Sequence, residues 1–171
     1  MVEVILRAVR VDVGSSTPLL LLEEVGGSRV LPIFVGAPEA TAIAYALQNL
    51  ATPRPMSHDL LGSVIEALGG RLFAVEISDL VDNTFYANLR ILRDREEIEI
   101  SARPSDAVAL ALRVGAPILV SDDLMDAEGK IIALGDETDE HDTNDTGESE
   151  ADLVAELREF LDTIRPEDFN Q

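Results

Sequence analysis

Two short motifs, each beginning with Arg-Pro, hold the side chains whose types and spacing could do chemistry. The first runs from Arg54 to Asp59 as Arg-Pro-Met-Ser-His-Asp, and the second runs from Arg103 to Asp106 as Arg-Pro-Ser-Asp. A guanidinium group binds phosphate or carboxylate through paired hydrogen bonds. An imidazole changes its protonation state near neutral pH, and a carboxylate can orient it or hold a divalent cation. His58, one of two histidines in the chain, makes the first motif the stronger candidate for general acid–base chemistry.

Both motifs predict the start of a helix. Proline disfavours the helical region for the arginine before it, and a serine then stands where an N-cap would lie, with an aspartate in the first turn. If the two helix starts are neighbours, the motifs face each other across a cleft, and an acid from the preceding helix joins them. We assign catalytic roles to His58, Asp59, Asp106 and Glu39, and substrate-binding roles to Arg54 and Arg103. The alternative is a pair of well-capped helices with ordinary local ion pairs.

These residues leave the cofactor open. A hydrolase uses either a divalent metal held by carboxylates and histidine, or His, Lys and Arg side chains for acid–base chemistry and charge neutralisation. The side chains of Glu39, His58, Asp59 and Asp106 could supply the metal ligands. His58 with the two arginines could supply the acid–base and charge-neutralising set. No metal-ligand spacing such as His-x-x-x-His or Asp-x-Asp occurs in the predicted domain. A divalent cation therefore stays a candidate without an assigned metal site.

The composition is that of one compact domain with an appendage. The chain has 171 residues, 46% of them hydrophobic, which is enough for one core. No apolar run approaches the roughly 20 residues of a membrane-spanning helix, and charged residues interrupt the N-terminal segment where a signal peptide would be apolar. Cysteine is absent, which excludes disulfides, thiolate metal sites and cysteine nucleophiles. We therefore expect a cytoplasmic protein that does not act on a membrane.

The net charge of −20 is unevenly distributed. Residues 1–124 contain 10 Arg and 17 Asp or Glu, a net charge of −7, whereas residues 125–171 contain 3 basic and 16 acidic residues, a net charge of −13. A domain with a net negative charge does not favour binding of nucleic acid, because such binding normally depends on a basic face that displaces counterions from phosphate. Any contact with nucleic acid must therefore be local.

The remaining sequence predicts an α+β fold, with a mixed, mainly antiparallel sheet packed by helices. Residues 84–93 alternate between apolar and polar side chains, as a strand with one buried face does. Pro32 cannot donate to a strand ladder, so its strand is expected at an edge or a bulge. Two amphipathic helices follow it, and both are expected to cover the sheet. The predicted strands are 2–13, 18–25, 29–35, 72–80, 84–93, 96–102 and 118–121, and the predicted helices begin near Pro38, at Ser57 and at Ser105.

The chain is predicted to divide into three parts. The domain spans residues 1–135. Residues 136–148 contain seven acids and no aliphatic residue, Lys or Arg, which predicts a solvated, disordered linker. Residues 149–171 open with a Ser-x-x-Asp pattern similar to a capping box and continue with an apolar stripe, which predicts an amphipathic C-terminal helix.

An ordered set of short patterns resembles the bifunctional nuclease domain family over roughly residues 1–125. The set is Leu31-Pro32-Ile33-x-x-Gly36, Glu39-Ala40, Ile43-Ala44, Arg54-Pro55-x-x-His58-Asp59-Leu60, Phe85-x-Ala87-x-Leu89, Arg103-Pro104-Ser105-Asp106-Ala107 and Pro117-Ile118. The resemblance implies a compact α+β domain, a tendency to self-associate, and nuclease activity on DNA and RNA. Ser101 stands where an aspartate is common in the family pattern, so the resemblance implies no mechanism that needs a carboxylate there.

Two classes of function follow. The first is a nuclease, a phosphodiester hydrolase acting on DNA or RNA, which the resemblance favours. The second is a noncatalytic homo-oligomeric binding or regulatory module whose Arg-Pro motifs stabilise the fold or hold a small anionic ligand, which the acidic charge favours. A homo-oligomer is expected in either case, because the mostly apolar segment 30–35 forms a strand edge of the kind that proteins pair or cover.

Overall fold

The structure is a computed structural model that describes residues 1–12 and 14–131. The predicted linker at 136–148 and the predicted helix at 149–171 lie outside these residues. The described part of the chain contains eight strands in one sheet and four helices, so the predicted α+β class is confirmed.

The sheet consists of two antiparallel meanders joined by one short strand, β7. Its order is β6-β5-β4-β7-β1-β2-β3-β8. β7 is antiparallel to β1, with Val120 opposite Val2, and parallel to β4, with Val120 opposite Ile77. The sheet is therefore mixed and mainly antiparallel, as predicted. The strands are β1 (Val2–Asp12), β2 (Thr17–Glu24), β3 (Arg29–Phe34), β4 (Arg71–Val81), β5 (Thr84–Arg93), β6 (Glu96–Ala102), β7 (Ile118–Val120) and β8 (Lys130–Ile131).

Pro32 lies at the edge of the sheet. β8 pairs only with Arg29 and Val30 of β3. Beyond that point β2 is the single partner of β3 among the described residues, and Pro32 stands opposite Leu21. The missing N–H of the proline therefore breaks no ladder, and its predicted edge position is confirmed.

The helix α3 is the one against which α1 and α2 pack. The helices are α1 (Ala37–Leu47), α2 (Ser57–Ala67), α3 (Pro104–Val114) and α4 (Asp122–Glu128). Residues 107–111 of α3 are buried, and α3 contacts α1, α2, β4 and β5. A helix that is apolar nearly all round is expected to be buried in this way. No helix in the described part of the chain is both long and apolar enough to cross a membrane.

α2 begins at Ser57, as predicted, and α3 begins at Pro104, one residue before the predicted start, but the predicted serine N-caps are wrong. The N-cap positions belong to Met56 and Arg103, and Ser57 is already the first residue of α2. At α3, Pro104 takes the first helical position, which its fixed backbone angle favours. At α2, the carboxylate of Asp59, the third helical residue, accepts the backbone N–H of the N-cap Met56 at 2.7 Å, as the acid of a capping box does.

The prediction that α2 covers the sheet with its leucines is wrong. The side of α2 that packs is the one bearing Gly62, its one buried residue. A Cβ there would lie 3.3 Å from Val114 Cγ1, so the glycine allows close approach to α3. The opposite side is exposed, with Leu60 at 58% and Leu68 at 67%. The reason is that α3 already lies on β4 and β5, and α2 packs mainly on α3.

Candidate active site at the starts of three helices

The first turns of α1, α2 and α3 bring four of the six predicted site residues into one connected cluster. His58 Nε2 lies 3.1 Å from Asp106 Oδ1. Arg103 donates to both oxygens of that carboxylate, from Nε at 2.7 Å and from Nη2 at 3.1 Å. Arg103 Nη1 lies 2.9 Å from Glu39 Oε1. The two Arg-Pro motifs therefore meet, and the acid of the preceding helix joins them.

Glu39 reaches the cluster because a glycine precedes α1. Gly36 is the N-cap of this helix, and Glu39 lies in the first turn. Oε2 of Glu39 folds back over Gly36, where any Cβ would collide with it. A side chain at position 36 would therefore displace the carboxylate that contacts Arg103.

Asp106 is held in its ionised form. The hydrogen bonds and charge of Arg103 lower its pKa, His58 adds to this, and partial burial opposes it. The same contacts raise the pKa of Arg103, with Asp106 contributing more than Glu39. Because an ionised carboxylate can only accept hydrogen bonds, Nε2 of His58 carries the hydrogen in their contact. In the neutral ring Nδ1 then keeps its lone pair, and it is the nitrogen that can accept a proton.

The cluster is open to solvent on the arginine side. The side chain of Arg103 is 65% exposed, whereas that of His58 is 14% exposed. With His58 neutral, the two carboxylates outweigh the single guanidinium, so the cluster has a net negative charge. A phosphate would need a further cation to bind here.

Arg54, the remaining predicted site arginine, makes no contact with the cluster. It is exposed, and its guanidinium has no hydrogen bond or ion pair within the described residues. Its backbone carbonyl accepts the hydroxyl of Thr52 at 2.6 Å, just before α2 begins. The charge of Arg54 is therefore free to meet a ligand near the start of the helix that carries His58.

Asp59 points away from the cluster. One of its oxygens accepts Nε of Arg113 at 2.5 Å, and the other accepts the Met56 N–H at 2.7 Å. Burial favours the neutral acid, but the hydrogen bond from Met56 and the ion pair with Arg113 outweigh it and lower the pKa of Asp59. The predicted catalytic aspartate is thus part of a separate pair.

Arg113, the partner of Asp59, was missed by the sequence reasoning. Its side chain is 9% exposed, and it also donates to the carbonyls of Ala109 at 2.8 Å and Ala42 at 2.9 Å. An arginine in the last turn of a helix is an ordinary favourable choice, so its position signalled nothing else. Beside it lies an open cavity of about 200 Å³, lined in part by Tyr45 and Met56.

Metal ligation has no ready-made geometry in the part of the chain that the structure describes. No group of three or more His, Asp or Glu side chains is arranged there to hold a metal ion. Asp106 and Glu39, the two acids of the cluster, both contact Arg103. The cation between these acids is therefore a guanidinium.

Comparison with known proteins decides the family. The profile of the bifunctional nuclease domain matches residues 20–133, which is more than half of the chain. This chain belongs to the bifunctional nuclease domain family. The match includes every predicted site residue and Arg113.

Relatives of this family member differ in how much of their length they share with it. A Mycobacterium tuberculosis protein described as uncharacterized is 46% identical over 167 residues, 98% of this chain and 97% of its own length. Bifunctional nuclease 1 of Oryza sativa subsp. japonica is 30% identical over 106 residues, 60% of this chain and 32% of its own length. Bifunctional nuclease 2 of Arabidopsis thaliana is 25% identical over 114 residues, 65% of this chain and 35% of its own length. The chain thus spans about a third of the length of these plant nucleases.

Proposed function

We propose that this protein is a nuclease that hydrolyses phosphodiester bonds in DNA or RNA, with His58 as the general base. The observation that carries this proposal is the contact between His58 Nε2 and an ionised Asp106, which leaves Nδ1 free to take a proton. A histidine oriented by a carboxylate is a recurring arrangement for activating a nucleophile. Family membership supports the same reaction class, because the plant relatives bear the name bifunctional nuclease.

The remaining site residues have distinct roles in this proposal. Nδ1 of His58 takes a proton from water, whose oxygen attacks phosphorus as the bond to the leaving sugar oxygen breaks, and that oxygen takes up a proton from solvent. Arg54 supplies the free positive charge for the phosphate, and Arg103 offers the N–H groups that its two acids leave unused. Glu39 holds Arg103 in place. Asp59 is assigned a positioning role, because Arg113 and the start of α2 use its carboxylate.

The assay that tests this proposal uses single-stranded DNA and RNA with purified protein, with and without added Mg²⁺ or Mn²⁺ and with a chelator. His58→Gln should lower kcat on the order of 100-fold, since general base catalysis is worth about that much or more, and should leave the melting temperature nearly unchanged. Arg54→Ala should raise KM, whereas Arg10→Ala removes the same charge from β1 and should not. The proposal fails if wild-type protein, free of contaminating nuclease, cleaves neither substrate under any of these metal conditions.

A noncatalytic homo-oligomeric module is the second candidate, and the exposed side of α2 favours it. Leu60, Val64 and Leu68 recur every fourth residue on that side, and each is more than a third exposed. A ridge of this kind with no charge on it is typical of a surface that meets another apolar surface. Sedimentation velocity of the wild type and of Leu60→Glu tests it. A wild-type oligomer that the substitution dissociates, together with absent nuclease activity, would favour this candidate over the first.

A further inference from the structure

Arg113 contacts each of the three helices whose first turns form the cluster. It belongs to α3, its Nε bonds Asp59 of α2 at 2.5 Å, and its Nη2 bonds the carbonyl of Ala42 in α1 at 2.9 Å. Its Nη1 bonds the carbonyl of Ala109, one turn back in its own helix, at 2.8 Å. Because the guanidinium is planar and its donors have fixed directions, these bonds together allow one arrangement of the three helices.

The start of α2 is joined to α3 at two points. His58 of α2 contacts Asp106 of α3, and the next residue, Asp59, contacts Arg113 of α3. Asp106 and Arg113 are two helical turns apart on α3, about 10 Å along its axis. Two attachments so separated fix both the position and the rotation of the α2 start, whereas one attachment would leave the rotation free.

The start of α1 is joined to α3 in the same way. Glu39 contacts Arg103 at one end of α3, and the carbonyl of Ala42 contacts Arg113 at the other end. Removing Arg113 would therefore leave each neighbouring helix with a single polar attachment to α3. The remaining attachments are the contacts of the candidate site itself.

We propose that Arg113 is a positioning residue that holds His58 against Asp106. It touches neither of them and acts through Asp59 and the carbonyl of Ala42. This inference rests on the proposed function only in so far as the His58–Asp106 pair is catalytic. The alternative is that Arg113 stabilises the domain and has no influence on that pair.

Nitrogen NMR of histidine-labelled protein tests the inference without substrate. The chain has two histidines, so the signals of His58 can be assigned by comparison with His58→Gln. In the wild type we expect the ring nitrogens to show one fixed tautomer, with hydrogen on Nε2. In Arg113→Ala we expect averaged tautomers, because the His58 ring is no longer held against the carboxylate. An unchanged fixed tautomer in a folded Arg113→Ala protein would overturn the inference.

Guanidinium ion provides a rescue that separates positioning from general damage. The cavity of about 200 Å³ beside Arg113 is open to solvent, so truncation of the side chain would leave a space that a free guanidinium ion can enter. Millimolar guanidinium, far below denaturing concentrations, should restore the fixed tautomer in Arg113→Ala and leave the wild type unchanged. Sodium at the same ionic strength should restore nothing. Equal effects of the two ions would overturn the inference.

Arg113→Lys covers the case in which the alanine variant does not fold. Lysine keeps the charge facing Asp59 but cannot also bond both carbonyls with a planar fork. We expect a folded protein with partly averaged tautomers and, on an active substrate, a kcat lowered on the order of 10- to 100-fold with KM little changed. A lysine variant with the wild-type tautomer and kcat would overturn the inference. If wild-type protein cleaves nothing but the tautomer result holds, the proposed function fails and the positioning role stands.

Discussion

Helix α3 carries two arginines that each bind an aspartate, one at its start and one at its end. At the start, Arg103 binds Asp106 of the same motif, and its side chain is 65% exposed. At the end, Arg113 binds Asp59 of a different helix, and its side chain is 9% exposed. The residue types are the same, and both aspartates have a lowered pKa.

The exposure of the two arginines and their remaining partners separate the two pairs, whereas the two aspartates are about equally exposed. The further N–H groups of the buried Arg113 donate to backbone carbonyls of α1 and α3, so the geometry of its pair depends on the packing of these helices. The pair of the exposed Arg103 instead contacts His58 and Glu39, which are side chains rather than backbone. An arginine whose further partners are backbone carbonyls fixes the positions of helices, whereas an ion pair that contacts solvent and a histidine can take part in a reaction.

Four measurements test this difference between the two ion pairs.

The largest expected effect on stability is that of Arg113→Met. Methionine fills much of the volume but leaves the Asp59 carboxylate and the two carbonyls without their donor, which should cost about 3 kcal/mol in the free energy of unfolding. Urea denaturation followed by circular dichroism measures this loss. A loss below about 1 kcal/mol would place this pair in the same class as an exposed one.

Asp59→Asn should have a smaller effect, about 1 to 2 kcal/mol. The amide oxygen can still accept one hydrogen bond, but the ionic partner of Arg113 is lost. Asp94→Asn is the matched control, because Asp94 is exposed in a turn with a positive φ that asparagine tolerates well. The control should change the free energy of unfolding by less than about 0.5 kcal/mol, and an equal change in both variants would contradict the prediction.

Acid should weaken both pairs in the same direction. A lowered pKa in the folded state means that the unfolded aspartate, which titrates near about 3.9, binds its proton first as the pH falls. The stabilisation is therefore fully present above that pH and is lost as the pH falls through the folded-state pKa. Melting temperatures measured from pH 5 downward, with pH about 4 as the expected onset, should fall less steeply in Asp59→Asn and in Asp106→Asn than in the wild type. If the melting temperatures of all three proteins fell equally steeply with pH, neither aspartate would account for the loss of stability in acid.

The smallest effect on stability belongs to Arg103→Ala. The side chain of Arg103 is mostly exposed, and a solvent-exposed ion pair contributes about 0 to 1 kcal/mol, so the melting temperature should hardly move. Nuclease activity, if the proposed function holds, should fall by a much larger factor than after Arg10→Ala. A large loss of stability would show that the exposed pair is structural as well.

The sequence alone was sufficient to predict the short-range ion pair at the start of α3. Arg103 and Asp106 are three residues apart at a helix start, so their pairing follows from helix geometry alone. The sequence also predicted seven of the eight strands to within a few residues, because alternating or continuous apolar runs mark them and turn residues separate them. The meeting of His58 with Asp106 was a hypothesis from the repeated motif, and the structure brings these two residues into contact.

The long-range ion pair between α2 and the end of α3 could not be predicted from the sequence in the same way. Asp59 and Arg113 are far apart in sequence, and each has an ordinary local explanation, one as a first-turn acid and one as a last-turn base. The orientation of α2 was misread because its leucines form a regular stripe, and nothing in that stripe reveals that α3 already covers the sheet. The helix α4 and the strand β8 are too short to carry a periodic signal.

Strand β7 has only three residues, yet it makes one sheet out of two meanders, which has a consequence for the order of folding. Ile118 pairs with Val4 on one side and with Val75 on the other. Each meander can form from neighbouring strands, whereas pairing β7 with β1 closes a loop that includes most of the domain and costs more chain entropy. We expect this junction to form after the folding transition state. Val120→Ala, at the buried last residue of β7, should therefore speed unfolding in stopped-flow experiments and leave the folding rate nearly unchanged.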